Sequence, residues 1–428
     1  MRESSDDRLG HVLYHETLPN GLNVFLLPKP GFQQTFATFT THYGSVDSTF
    51  RLAGEPEFTT VPDGIAHFLE HKMFESEHGD VFRDFARHGA SANAYTTFDI
   101  TSYLFSSTQD VQENLEVLLD FVQDPYFTDE NVAKEKGIIA QEIRMYEDNP
   151  DTRVFYGLLR ALYAVHPVRV DIAGTVESIQ RIDKETLYRC YRTFYHPSNM
   201  VFFAVGGFDP EAAMAVIREN QARKSFPEAP RIERQYPSEP PGVHQDRVEA
   251  RLAVSQPRCL IGWKDPDPLP PGPGILEREL LTGVVLDVLF GRSSDLFDDL
   301  IGEGLIDQQF SWEYERTPEY GYSLIGGNTP DPDRLAARVE AKLDEVRESG
   351  LPEEEFERCR RKSIGRFMAA LDSPSYIARH FASYHFRGAD LFQTVEILDR
   401  LTLEDANRRM REHFVSGQQS ISVVLPKA

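Results

Sequence analysis

The order of secondary-structure signals in the first half of this chain recurs in the second, and no other feature limits the fold so strongly. Tyr322-Ser323-Leu324-Ile325-Gly326 corresponds to Tyr103-Leu104-Phe105-Ser106, and Leu351-Pro352-Glu353-Glu354-Glu355-Phe356 to Phe127-Thr128-Asp129-Glu130-Asn131-Val132. Leu401-Thr402-Leu403-Glu404-Asp405 matches Ile182-Asp183-Lys184-Glu185, and Ser420-Ile421-Ser422-Val423-Val424-Leu425 matches the apolar run from Met200 to Gly206. Between the copies, residues 226–245 carry Pro227, Pro230, Pro237, Pro240 and Pro241, the composition of a linker. The pattern predicts two related α+β domains, 1–225 and 246–428, joined by the proline-rich stretch 226–245.

Local signals fill in the first copy. Two apolar runs flank Pro19-Asn20-Gly21 and read as a hairpin, and Thr35 to Tyr43 alternates as a further strand. Helical patterns follow around 64–75, 79–88, 110–123, 128–147, 150–163 and 184–195, with a strand near 100–107.

Composition narrows the class. At 428 residues, 40% apolar and 26% charged, the chain is long enough for two domains with real cores. No apolar stretch reaches the roughly 18–20 residues of a membrane span, and the polar start, Met1-Arg2-Glu3-Ser4-Ser5, lacks the core of a signal peptide. Cys190, Cys259 and Cys359 are too few and too dispersed for a disulfide framework, so a reducing cytoplasm is the expected compartment. With 45 basic and 68 acidic residues the net charge is −23, which argues against nucleic acid as a partner.

Residues 67–71 read His-Phe-Leu-Glu-His. On a helix, His67, Glu70 and His71 stand at i, i+3 and i+4 and project from one face. Two imidazoles one turn apart can grip a single Zn²⁺, and a carboxylate beside them can take a proton from water. The neighbours Ile65, Ala66, Phe68, Leu69, Met73 and Phe74 predict a buried helix, with Asp63-Gly64 as its N-cap. Buried histidines and a buried glutamate need a partner, and a metal supplies one.

A catalytic zinc takes three protein ligands, so a third comes from elsewhere. The helical stretch Lys134 to Arg144 offers Glu135 and Glu142, seven residues and about two turns apart, on one face. Ile138, Ile139 and Ile143 around Glu142 predict burial there, whereas Glu147 and Asp148 fall at the solvated helix end. Helical spacing alone does not rank Glu135 against Glu142.

These residues resemble the pitrilysin/insulinase superfamily of zinc peptidases, which includes the mitochondrial processing peptidases. Its pattern is H-x-x-E-H, then a Glu some seventy residues on with another Glu seven positions before it; here Glu142 follows His71 by 71 positions and Glu135 stands upstream. The resemblance implies Glu142 as the third zinc ligand, Glu135 as a carboxylate orienting the site from behind, and Glu70 as the proton carrier. Gly89-Ala90-Ser91-Ala92-Asn93-Ala94-Tyr95-Thr96 is similar to the family's substrate edge, which implies peptide binding along Asn93, Ala94 and Tyr95. The implied fold is α+β, two duplicated α/β-sandwich domains of the processing-peptidase type, each a mixed, mostly antiparallel sheet covered by helices.

Departures from the pattern carry their own expectations. Sliding the first long helix onto the second copy places Cys359 opposite Glu135 and Arg366 opposite Glu142, and no H-x-x-E-H follows residue 246, so one zinc per chain is expected. The family's Arg and Tyr, which approach the scissile carbonyl, fall in a stretch resembling Leu300-Ile301-Gly302-Glu303-Gly304-Leu305-Ile306-Asp307; Ile301 and Asp307 occupy their places. An Ile cannot donate to an oxyanion and an Asp repels one. The implication is a heterodimer whose homologous, metal-free partner brings Arg and Tyr, with a homodimer as the state of the isolated chain. The rival reading is a non-catalytic assembly or core subunit on the same fold.

Overall fold

The computed structural model describes residues 1–6, 9–77, 79–229, 231–267 and 269–427, which leaves Pro230 of the proline-rich stretch outside the described residues. The chain forms two compact units: Met1–Ile143 with Asp171–Tyr236 and Ala370–Ser383, and Arg144–Val170 with Pro237–Ala369 and Tyr384–Ala428. Neither unit is continuous in sequence. Residues 144–170 cluster with the second half, and 370–383 with the first.

The first unit is built on a seven-stranded sheet in the order Arg2–Asp6, His11–Thr17, Asn23–Pro28, Met200–Gly206, Thr35–Thr41, Thr101–Ser107, Ser91–Thr96. All neighbours run antiparallel except 23–28 and 200–206. Every residue of 35–41 and of 200–206 is buried, which is why these runs read as nearly continuous apolar and threonine stretches. Phe381 packs against this sheet, its ring 4.3 Å from that of Phe203 and 4.8 Å from that of Phe25. Among the described residues Ser91–Thr96 is an edge strand, paired on one side only, with 101–107.

The second unit has a five-stranded sheet in the order Arg247–Leu252, Gln419–Pro426, Arg258–Lys264, Gly321–Asn328, Ser311–Arg316. Here too a single pair, 247–252 with 419–426, is parallel. Its order reproduces the first sheet from 23–28 to 91–96 strand for strand, so the recurrence in sequence is a recurrence in topology. The helix Pro150–Leu162 packs on this second sheet: Gly157 leaves no room for a Cβ, which would lie 2.4 Å from Ser422 Oγ, and Gly262 likewise admits the Leu158 side chain. The architecture is α+β in both units, mixed sheets covered by helices.

Candidate metal centre

The motif helix spans Ile65–Met73. Of the expected Asp63-Gly64 cap, Gly64 is the N-cap residue, at φ +88°, and the helix has no side-chain capping bond among the described residues. A Cβ at Gly64 would stand 2.4 Å from the Ala173 carbonyl oxygen, so the helix starts where only glycine fits. Ile65, Ala66, Phe68, Leu69 and Met73 are buried as the apolar pattern required, His67 and His71 meet the long helix Asp129–Glu147, and Glu70 is buried against the strand Ser91–Thr96.

Side chains from the two helices converge. The His67 and His71 rings lie 4.5 Å apart, centroid to centroid. His67 Nε2 is 3.8 Å from Glu142 Oε1 and His71 Nε2 is 3.6 Å from Glu142 Oε2, and one donor atom from each of the three residues lies within 4.8 Å of the others. Glu135 Oε1 sits 3.0 Å from His71 Nδ1, on the far side of the ring. Both members of the Glu135/Glu142 face therefore reach the histidines, but from opposite ring nitrogens. The long helix is less buried around Glu142 than Ile138 led us to expect: Ile139 and Ile143 are buried, whereas Ile138 is 46% exposed, because it lies on the outward side of the helix.

Electrostatics follow from this packing. Burial and the neighbouring His71 push His67 down to about 4, against the pull of Glu142 and Glu135. For His71, burial works against the proton, but the hydrogen bond with Glu135 and the charges of Glu70, Glu135 and Glu142 prevail and raise it. Burial alone would raise Glu135, yet its bond to His71 brings it below the ordinary carboxylate value. Glu70 is raised by burial, partly offset by a hydrogen bond from Thr96. The His67 Nδ1 atom is buried without a hydrogen-bond partner. Two imidazole nitrogens and a carboxylate oxygen, the number and type of donors that a catalytic zinc takes, fit that metal.

Thr96 is the residue that sequence reasoning passed over. Its hydroxyl donates to Glu70 Oε2 at 2.6 Å. Strand alternation puts Ala94 with Thr96 on the face toward the motif helix, and Asn93 with Tyr95 on the other, where the Arg379 guanidinium lies 4.5 Å from the Tyr95 ring centroid. That alternation was readable, but not which helix the face would meet.

The second unit has no equivalent cluster among the described residues. Beside the helix Glu353–Ala370, Lys362 Nζ lies 2.6 Å from Asp287 Oδ2 and Arg366 Nη1 lies 3.9 Å from Oδ1, so the protein's own cations neutralise that carboxylate. Ile301 lies in the last turn of the helix Asp295–Gly302, and Asp307 accepts hydrogen bonds from the Asn328 side chain at 2.7 Å and the Gln309 backbone at 2.8 Å.

Comparison with known proteins places the chain among peptidases. A family model for insulinase (peptidase family M16) matches residues 59–176, and one for the peptidase M16 inactive domain matches residues 181–363. The uncharacterized zinc protease YmfH of Bacillus subtilis (strain 168) is 48% identical over 422 residues, 99% of this chain and 98% of its own. A crystal structure of an M16-like peptidase from Alicyclobacillus acidocaldarius, 49% identical, aligns over 97% of this chain and 99% of its own with a TM-score of 0.95. A Helicobacter pylori protease at 20% identity shares the fold, with a TM-score of 0.83 over 97% of this chain and 99% of its own. Among the described residues no helix is long and apolar enough to cross a membrane.

Proposed function

The chain belongs to the insulinase family of peptidases, family M16, and on that premise we propose that it is a zinc-dependent endopeptidase for short or unfolded peptides, working as the catalytic subunit of a heterodimer. The observation that carries this reading is the approach of His67, His71 and Glu142 to a common point with Glu70 one residue away.

In this reading His67 and His71, through Nε2, and Glu142 hold one zinc per chain. When bound, the metal would polarise the scissile carbonyl and make water acidic enough to lose a proton near neutral pH. Glu135 keeps the His71 ring turned, accepting from Nδ1–H so that Nε2 presents its lone pair. Glu70, acceptor-only when ionised, takes the proton as water attacks and delivers it to the departing amine. The peptide adds as a strand along Asn93, Ala94 and Tyr95, where backbone groups of an edge strand pair with backbone groups of substrate and side chains matter less. Such binding favours extended, unstructured peptides over folded proteins.

The heterodimer follows from chemistry that this chain lacks: neither Ile301 nor Asp307 can donate to an oxyanion. A homologous metal-free subunit with Arg and Tyr at those places would complete the site. Metal analysis and a quenched fluorescent peptide test the reading together. Glu70→Gln is expected to keep one zinc per chain and lose activity by about 100-fold or more, while His67→Ala loses the zinc. A Glu70→Gln protein as active as the wild type would overturn the peptidase reading. Full activity of the isolated chain would overturn the need for a partner.

A further inference from the structure

A base works only if its carboxylate is held, and a glutamate side chain has three torsions to hold. The motif helix fixes the Glu70 backbone but not its carboxylate. Among the described residues, the Thr96 hydroxyl is the hydrogen-bond donor to that carboxylate, at 2.6 Å, a short bond of the charge-assisted kind.

Three features make Thr96 a stiff anchor. It is β-branched, so its χ1 is restricted in a strand. Its backbone is registered opposite Thr101 in the adjacent strand. The Thr101 hydroxyl gives its own proton to the Tyr43 carbonyl at 2.9 Å and lies 3.4 Å from that of Thr96, so the acceptor-only carboxylate of Glu70, closer at 2.6 Å, takes the Thr96 proton. Thr96 also ends the edge strand whose residues 93–95 are the proposed peptide rail. One hydroxyl therefore joins that rail to the base.

We propose that Thr96 is a positioning residue that fixes the orientation of the Glu70 carboxylate and ties it to the edge strand. The proposal rests on the zinc-peptidase reading for its effect on rate, but not for its effect on structure. Displacing a reacting group by about 1 Å is enough to cost roughly 100-fold in rate.

The test uses the full chain, zinc-loaded, as wild type, Thr96→Val, Thr96→Ser and Glu70→Gln, with kinetics measured on the complex with the metal-free subunit that co-purifies with it. Valine keeps the branched shape and removes the donor; serine keeps the donor; Thr96→Ala repeats the loss if valine does not fold. Crystal structures are expected to show one Glu70 conformer in wild type and Thr96→Ser, and a carboxylate displaced by about 1 Å or split between rotamers in Thr96→Val. On peptide, kcat is expected to fall about 100-fold in Thr96→Val with KM within about threefold and zinc content unchanged, and Thr96→Ser to recover most of the loss. A Glu70 carboxylate that stays within about 0.5 Å of its wild-type place in Thr96→Val overturns the proposal; so does an unchanged kcat. Failure of the underlying reading looks different: wild type and Glu70→Gln would then be equally inactive even in the complex with the partner subunit, while the crystallographic comparison still decides whether Thr96 holds Glu70.

Discussion

His71 and Glu135 form a hydrogen-bonded pair, Nδ1 to Oε1 at 3.0 Å, while the other nitrogen of the same ring faces Glu142 at 3.6 Å. The two carboxylates thus approach opposite nitrogens of one imidazole.

Glu135→Gln is expected to separate two consequences of that pair. Loss of the orienting carboxylate should weaken zinc binding about 10- to 100-fold at pH 8. The pKa of His71 is raised because its bond with Glu135 and the surrounding carboxylates outweigh burial, and zinc competes with that proton. In the wild type, affinity should therefore fall as pH drops through a value above the ordinary histidine pKa. In the variant that onset should move to lower pH. Chelator competition between pH 8 and pH 5.5 checks both, and an unaltered affinity and onset would remove Glu135 from the site.

Gly64→Ala tests why the motif helix begins where it does. The φ of +88° costs an L-residue about 1–2 kcal/mol, and the Cβ would also meet the Ala173 carbonyl oxygen at 2.4 Å. We expect a loss of about 2 kcal/mol or more in stability together with weaker zinc binding, since His67 lies in the first turn. Thermal denaturation with and without zinc measures it, and a variant as stable as wild type would show that the backbone yields.

What the sequence disclosed, and what it hid, divides by range. The duplication was legible because strand order survives substitution: the Tyr322 strand does pair in its sheet as the Tyr103 strand does in its own. His67, Glu70 and His71 were legible because helix geometry fixes their common face. Helical spacing could not rank Glu135 against Glu142, since both approach the histidines and only the ring nitrogen that each meets tells them apart. Thr96 stayed hidden because its partner Glu70 is 26 positions away and no local pattern predicts that meeting. The exchange of 144–170 and 370–383 between units was also invisible, because an amphipathic helix does not record which sheet it covers.

Glu279 in the second unit should make stability depend on pH. Burial, aided by the charge of Glu315, raises it to about 7 against the pull of Arg387 and the hydrogen bond from Tyr384, and its Oε2 is buried without a partner. A carboxyl whose folded pKa lies above its unfolded value favours folding while protonated. That contribution is fully present below about 4.5 and lost as pH rises through about 7. The difference is on the order of 3 kcal/mol. Denaturant unfolding at pH 5 and pH 8.5 should show Glu279→Gln gaining on the wild type at the higher pH, and a parallel pair of curves would contradict the assignment.

Phe381 tests whether the segment 370–383 is structural to the first unit. Its ring stacks on Phe203 at 4.3 Å and meets Phe25 edge-on at 4.8 Å, and it is buried. Both partners sit on the parallel pair 23–28 and 200–206, so removing the ring opens a cavity against the centre of the sheet. Phe381→Ala should cost about 3–5 kcal/mol. Because the neighbours are backbone-fixed strands, little collapse can fill the space, which favours the upper part of that range. The loss should appear in the first unit: hydrogen exchange should accelerate in 23–28 and 200–206 well before it does in 258–264 of the other sheet. Equal acceleration in both sheets would mean that the ring stabilises the chain as a whole, and no acceleration would mean that 370–383 only rests on a sheet that needs no cover.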